Sequence, residues 1–249
     1  MCIRDSAYVA QRIEDIAQFD GKTITVSFDY KSDNDFGCSF EYHFGSGGSS
    51  SLYDKHGNTI SASATVKRAS VTVTLDDISG KSIGEANTSH LDLLFNMTAN
   101  NKTFEITNVQ LEVGNVATPF EHRSYAEELV LCQRYWQQSY DSGTPAGTAY
   151  GGSCYKGNNL MLFDQTTGWT AAENRIVFPV ELRTAPTVTW YGVNTGAVGK
   201  AGNTFCASTT DTLTLGGTTA SSKGLSHYPQ GSGYPAGPWG ANWTADAEL

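Results

Sequence analysis

Aromatic and amide side chains crowd one stretch near the C-terminus of this 249-residue chain, His227-Tyr228-Pro229-Gln230-Gly231-Ser232-Gly233-Tyr234-Pro235-Ala236-Gly237-Pro238-Trp239-Gly240, with Asn242 just beyond it. Sugars present flat C–H faces that stack on Trp and Tyr, and hydroxyls that hydrogen-bond to Asn, Asp and Gln. Tyr228, Gln230, Tyr234, Trp239 and Asn242 are therefore the candidate ligand-binding residues for a glycan or receptor. A Gly/Pro/aromatic stretch of this kind reads as a loop, and loops carried on a rigid scaffold are where binding residues concentrate. The competing role for the tryptophans is closure of a small glycine-rich core. Trp243, which sits in an alternating segment, is read that way.

A second constellation, Asp33-Asn34-Asp35-Phe36-Gly37, places two carboxylates and a turn glycine within reach of a calcium ion. It lacks the terminal bidentate glutamate of an EF-hand. A solvated turn is the simpler reading, and Asp33 and Asp35 stand as a weak metal-site candidate. Otherwise no cofactor is required. Enzyme signatures are thin: there is no G-x-S-x-G elbow, no H-E-x-x-H and no phosphate-cradling G-x-x-x-x-G-K-[ST]. His43, His56, His90, His122 and His227 have no acid or nucleophile at motif spacing and read as ordinary surface or hydrogen-bonded histidines. The chain is thus expected to be non-catalytic. Two carboxylates meeting across the fold to hydrolyse a glycan is the enzymatic alternative.

Composition narrows the field further. Charged residues make up 16% of the chain, where a globular domain usually carries about 25%. The polarity comes instead from Thr, Ser, Asn and 26 glycines, weak helix formers that are frequent in turns. A formal net charge of −9 with scattered Lys and Arg argues against nucleic acid as a partner. No run of about 18 apolar residues is present, so no membrane insertion is expected. Cys2, Cys38, Cys132, Cys154 and Cys206 form no C-x-x-C pair and have no close partner His, so zinc is not suggested, and an odd count of scattered thiols reads as a reducing compartment rather than a disulfide framework.

The elements that must position these residues are mostly strands. In Gly21–Tyr30 the apolar Ile24, Val26, Phe28 and Tyr30 alternate with Thr25, Ser27 and Asp29, the pattern of a half-buried strand. The same alternation recurs at Phe40, Tyr42 and Phe44 and at Val71, Val73 and Leu75. In Phe104, Ile106, Val109 and Leu111 it slips by one, the mark of a bulge. Leu91–Phe95 reads as a more fully buried strand. One helix interrupts the series: Ser124-Tyr125-Ala126-Glu127 has the form of a capping box, and the helix is expected to run to about Gln138. Its apolar stripe, Tyr125, Leu129, Cys132 and Trp136, is widened by Leu131 and Tyr135. After Gln138 the composition shifts, with 17 of the 26 glycines and four of the five tryptophans in the remaining residues. Strands are expected at Arg175–Leu182, where Pro179 implies an edge or bulge, at Thr187–Tyr191, at Asp211–Leu215 and at Ala241–Leu249.

The junction carries a resemblance. Phe104-Glu105-Ile106-Thr107-Asn108-Val109-Gln110-Leu111-Glu112-Val113-Gly114, then Ala117-Thr118-Pro119-Phe120-Glu121-His122-Arg123, then Glu128–Trp136, resemble the VQLE-G--ATPFE-R---EEL-LCQRY block common in tailed-phage and prophage tail-fibre proteins. Upstream, Gln11–Asp15 and the Gly21–Tyr30 strand look like later strands of the jelly-roll carbohydrate-binding modules that precede that block. Downstream, Phe178–Arg183, Ala185–Val188 and the Trp243–Leu249 terminus look like the C-terminal domain of such fibres. The resemblance departs at Phe28-Asp29, where the family commonly has Phe-Trp, so no binding role for an aromatic there carries over. It also lacks the module's first strands. Met1-Cys2-Ile3-Arg4-Asp5-Ser6 matches a translated sequencing adapter, so the coding sequence is expected to extend upstream of Ala7.

The expected fold is all-β, two antiparallel β-sandwich or jelly-roll-like domains joined by one short α-helix. Residues 7–123 form a truncated carbohydrate-binding-like jelly roll, 124–138 the linking helix and 139–249 a β-rich receptor-binding domain. The resemblance implies a virion-tail protein, a homotrimer that contacts host surface polysaccharide or a receptor, with structural calcium as a feature of related jelly rolls. A tail-associated polysaccharide depolymerase and a secreted bacterial carbohydrate-binding module are the alternatives.

Overall fold

The computed structural model describes residues 7–85, 88–97, 103–150, 160–163, 174–203, 211, 213–215, 218–227 and 237–248. Its architecture is all-β, with antiparallel pairing throughout and one α-helix among the described residues. That helix is too short and too polar to cross a membrane. The chain divides into two units, one ending at His122 and one running from Arg123 to Glu248.

The first unit is a jelly-roll-like sandwich. Strands β1 (Tyr8–Glu14), β6 (His90–Asn96), β3 (Phe36–His43) and β4 (Leu52–Ile60) form one sheet in that order. Strands β5 (Ser63–Thr74), β2 (Thr23–Ser32) and β7 (Phe104–Val113) form the other. Alternation sends Ile24, Val26 and Phe28 from β2 and Phe36, Phe40, Leu91 and Leu93 from β3 and β6 into one core. Edge-to-face aromatic pairs fill its centre, with Phe28–Phe95 and Phe36–Phe104 each 4.9 Å between ring centroids.

Thr25 and Ser27 of β2 are also buried, and each has a partner. The Thr25 hydroxyl donates to the Gly114 carbonyl at 2.8 Å, and Arg68 crosses the strand to donate to Ser27 Oγ at 2.7 Å. The slip in β7 is a bulge at Asn108, whose φ of 51° puts it in the left-handed region. Asn108 Nδ2 donates to Asp29 at 2.6 Å, and Arg68 donates to the Asn108 carbonyl at 3.1 Å. The Asn108 hydrogen bond, assisted by Arg68, holds the Asp29 carboxyl below its usual range.

In the second unit, helix α1 (Tyr125–Gln133) begins on the capping box that the sequence spells. It stops at Gln133, short of the expected Gln138, because Trp136–Gln138 form strand β8 and pair with Thr244–Asp246. The Gln137 side chain seals this exit by donating to the carbonyls of Gln133 and Val180. The remaining strands are β9 (Leu160–Phe163), β10 (Asn174–Val177), β11 (Thr187–Gly192), β12 (Lys200–Asn203), β13 (Leu213–Thr214), β14 (Thr218–Ser221), β15 (Gly224–His227) and β16 (Gly237–Asp246). Strand β10 ends ahead of Phe178-Pro179, where proline removes a ladder donor. Strand β16 pairs with β8, β9, β11 and β12. Trp243 belongs to the core with Phe178, Leu182, Trp190 and Leu225. Asp211 is set against β11 and β12: its carboxylate accepts from the Asn194 and Thr195 amides at 3.0 and 2.7 Å. It fits only because positions 192 and 202 are glycine, since a Cβ at either would lie 2.1 Å from it.

Phe28→Ala removes a fully buried ring from the centre of the first unit, and is expected to lower stability by about 3–5 kcal/mol. The check is the urea midpoint for unfolding, with the first unit's tertiary signal followed separately.

Candidate functional site

The polar chemistry of the first unit collects on the face of the β1-β6-β3 sheet turned away from its core. In β3, Glu41 and His43 are two residues apart, and so are His90 and Asp92 in β6, so each pair shares a face. The register then sets His90 between Glu14 and His43, and Asp92 between Arg12 and Glu41. His43 Nε2 lies 3.4 Å from Asp92 Oδ2 and 3.5 Å from Glu41 Oε2, and His90 Nε2 lies 3.7 Å from Asp92 Oδ1. Arg12 approaches the same carboxylate at 3.9 Å from the rim. Among the described residues, His43, His90 and Asp92 are the one group of three whose ligand atoms all fall within 4.8 Å of each other.

Hydrogen bonds behind the cluster orient it. His90 Nδ1 lies 3.1 Å from the Thr88 carbonyl, which can only accept, so Nδ1 carries the proton and Nε2 keeps its lone pair. His43 Nδ1 lies 3.1 Å from Ser51 Oγ. The two imidazoles stack, with centroids 4.4 Å apart and planes 16° from parallel. Burial pushes the His90 pKa down, against the pull of Asp92 and of the Thr88 carbonyl. Asp92 is buried, and neither its Oδ1 nor His43 Nε2 has a hydrogen-bond partner. The arrangement offers imidazole nitrogens and carboxylate oxygens converging from two strands.

None of these residues stood out by spacing in the sequence. The usable signal was the pair of short motifs Glu41-x-His43 and His90-x-Asp92 inside alternating segments. The pairing of β3 with β6 that unites them is not local.

Of the residues expected to bind a ligand, Tyr228, Gln230 and Tyr234 lie outside the described residues. Trp239 lies in β16, opposite Met161 and Asn203. The strand begins at Gly237 and β15 extends to His227, so the connecting segment is shorter than the expected loop. Asn242 is fully buried, and its Oδ1 accepts from Ser139 Oγ at 3.1 Å. The two calcium-candidate carboxylates serve different backbone amides. Asp33 Oδ2 accepts from Thr103 at 3.1 Å and Asp35 Oδ1 from Ala62 at 2.7 Å. Neither belongs to a cluster of three potential ligands among the described residues.

The block at the junction has a physical explanation. Glu112 accepts from both the amide and the hydroxyl of Thr118, at 3.0 and 2.6 Å. Gln110 donates to Thr118 Oγ1 at 3.0 Å and accepts from the Glu121 amide at 2.8 Å. The exposed segment after β7 is thereby fastened to the strand by its own polar side chains. Further along, Ser124 and Glu127 cap α1 reciprocally, and Arg123 reaches Glu128 at 3.2 Å.

No protein-family model matches the chain, no curated protein matches it significantly, and no solved structure matches its fold significantly.

The hydrogen bonds from Thr118 hold the Glu112 carboxyl below its ordinary value of 4.5. A carboxyl with a depressed folded pKa stabilises the fold above its unfolded pKa, and that contribution is lost as pH falls through the folded value. The Thr118 amide resonance is therefore expected to move in acid with a midpoint below 4.5, and Glu112→Gln is expected to abolish the movement.

Proposed function

We propose that this chain is the non-catalytic distal part of a phage or prophage tail fibre, assembled as a homotrimer, which binds a host surface glycan or receptor through its second unit. The observation that carries this reading is the Phe104–Trp136 block and the surface it presents. Its polar residues fasten the junction and cap the helix, while the apolar residues of the helix are exposed. Tyr125, Leu129, Val130 and Leu131 are 72%, 41%, 51% and 46% exposed, and α1 buries no residue. Isolated helices shorter than about 12–15 residues are marginal in water and depend on tertiary packing. A nine-residue helix with this surface is well served by neighbouring copies of the same chain. The near-neutral second unit, with most of the tryptophans, supports placing recognition there, in the segment that holds Tyr228, Gln230 and Tyr234 and leads to Trp239.

Mass photometry of the purified chain is expected to give three copies, and a monomer at working concentration would overturn the fibre reading. In a cell-adsorption assay, Tyr234→Ala combined with Trp239→Ala is expected to weaken binding about tenfold or more, corresponding to about 1.4 kcal/mol. Undiminished adsorption would remove this segment as the contact. Incubation with host polysaccharide is expected to release no reducing sugar.

A further inference from the structure

We propose that His43, His90 and Asp92, with Glu41 beside His43, form a binding site for one divalent transition-metal ion of the zinc class, bridging β3 and β6. Charge-assisted hydrogen bonds between a ring nitrogen and a carboxylate fall near about 2.7–2.9 Å. The separations here, 3.4, 3.5 and 3.7 Å, are longer. The two made by His43 fall at the edge length of a coordination tetrahedron, about 3.3–3.5 Å for zinc bonds of about 2.0–2.2 Å to nitrogen and oxygen, and the third, from His90 to the other Asp92 oxygen, is slightly longer.

The chemistry of the surroundings agrees. A buried carboxylate oxygen and a buried imidazole nitrogen, Asp92 Oδ1 and His43 Nε2, lack hydrogen-bond partners. The Thr88 carbonyl fixes His90 in the tautomer that leaves Nε2 free to ligate, the arrangement by which metal-binding histidines are usually oriented. Ser51 Oγ, which can donate or accept, lies behind His43 at 3.1 Å from its Nδ1.

Two imidazoles with two carboxylates select zinc and its neighbours over calcium or magnesium, which prefer all-oxygen shells. Two carboxylates balance the dication. Arg12, half-exposed on the rim, can turn to water as the ion takes its place beside Asp92. Bringing both Nε2 atoms onto one ion requires the stacked rings to rotate about their Cβ–Cγ bonds, a torsion with broad minima. The three converging ligands come from two neighbouring strands, so a bound ion clamps β3 to β6, with Glu41 beside His43 to complete the shell.

The full chain, stripped with EDTA and exchanged into chelator-free buffer, is titrated with zinc by calorimetry and with cobalt(II) by visible absorption. One equivalent of zinc is expected, with a rise in melting temperature. Cobalt is expected to give the intense visible bands of a four-coordinate site. His90→Gln and Asp92→Asn, each with circular dichroism matching the parent, are expected to weaken zinc at least about tenfold, while Asp33→Asn with Asp35→Asn leaves it unchanged. Absence of uptake by the parent overturns the proposal, as does undiminished binding in both site variants or a thiolate charge-transfer band that places cobalt on a cysteine. Should the variants not fold, histidine ring nitrogen shifts in the parent decide. Zinc moves those of His43 and His90 if the proposal holds, and those of other histidines alone if it fails.

Discussion

The register of β6 between β1 and β3 is the constraint on which the chemistry of the first unit rests. A strand paired on both sides sends alternate residues to opposite faces, and β6 uses both faces fully: Leu91, Leu93 and Phe95 enter the core, while His90 and Asp92 meet Glu41 and His43 on the other side. A slip of one residue would expose the three apolar side chains and drive an imidazole and a carboxylate into the aromatic core, exchanging favourable burial for desolvated charge. Packing therefore specifies the polar cluster. The buried ring system and the imidazole pair are two outcomes of one alignment.

Legibility from sequence followed locality. The capping box at Ser124 and the bulge in β7 are short-range features, and each is visible in a few consecutive residues, whereas the strand expected over Arg175–Leu182 ends at Val177, ahead of Pro179. Helix α1 ends short of Gln138 because β16, more than a hundred residues away, competes for Trp136–Gln138, and an apolar stripe at helical spacing carries no information about that competition. The histidine cluster is hidden for the same reason. Glu41-x-His43 and His90-x-Asp92 each say only that two polar groups share a face. Which faces meet is decided by strand pairing across the intervening β4 and β5, which lie in different sheets. Asn242 shows a further limit: β16 is covered on both sides, so alternation within it does not separate core from surface.

The polar residues of the junction illustrate how a sequence pattern can have a mechanical basis. Gln110, Glu112 and Thr118 form a closed set in which the donors and acceptors satisfy each other, and Ser124 with Glu127 repeats the device at the helix start. These groups are exposed and individually weak. Their combined effect is directional, because they set the path of a segment that has no core of its own.

The pairing pattern of the second unit bears on the order in which the molecule assembles during synthesis. Strand β16 is the shared neighbour of β8, β9, β11 and β12, and all four precede it in the chain. As they emerge from a ribosome they wait, edges unsatisfied, for a partner not yet translated, whereas the strands of the first unit find one another among residues already released. The first unit is thus a finished scaffold before the second can close. A nascent chain interrupted short of residue 237 carries a folded sandwich followed by open strand edges, the kind of intermediate that chaperones recognise.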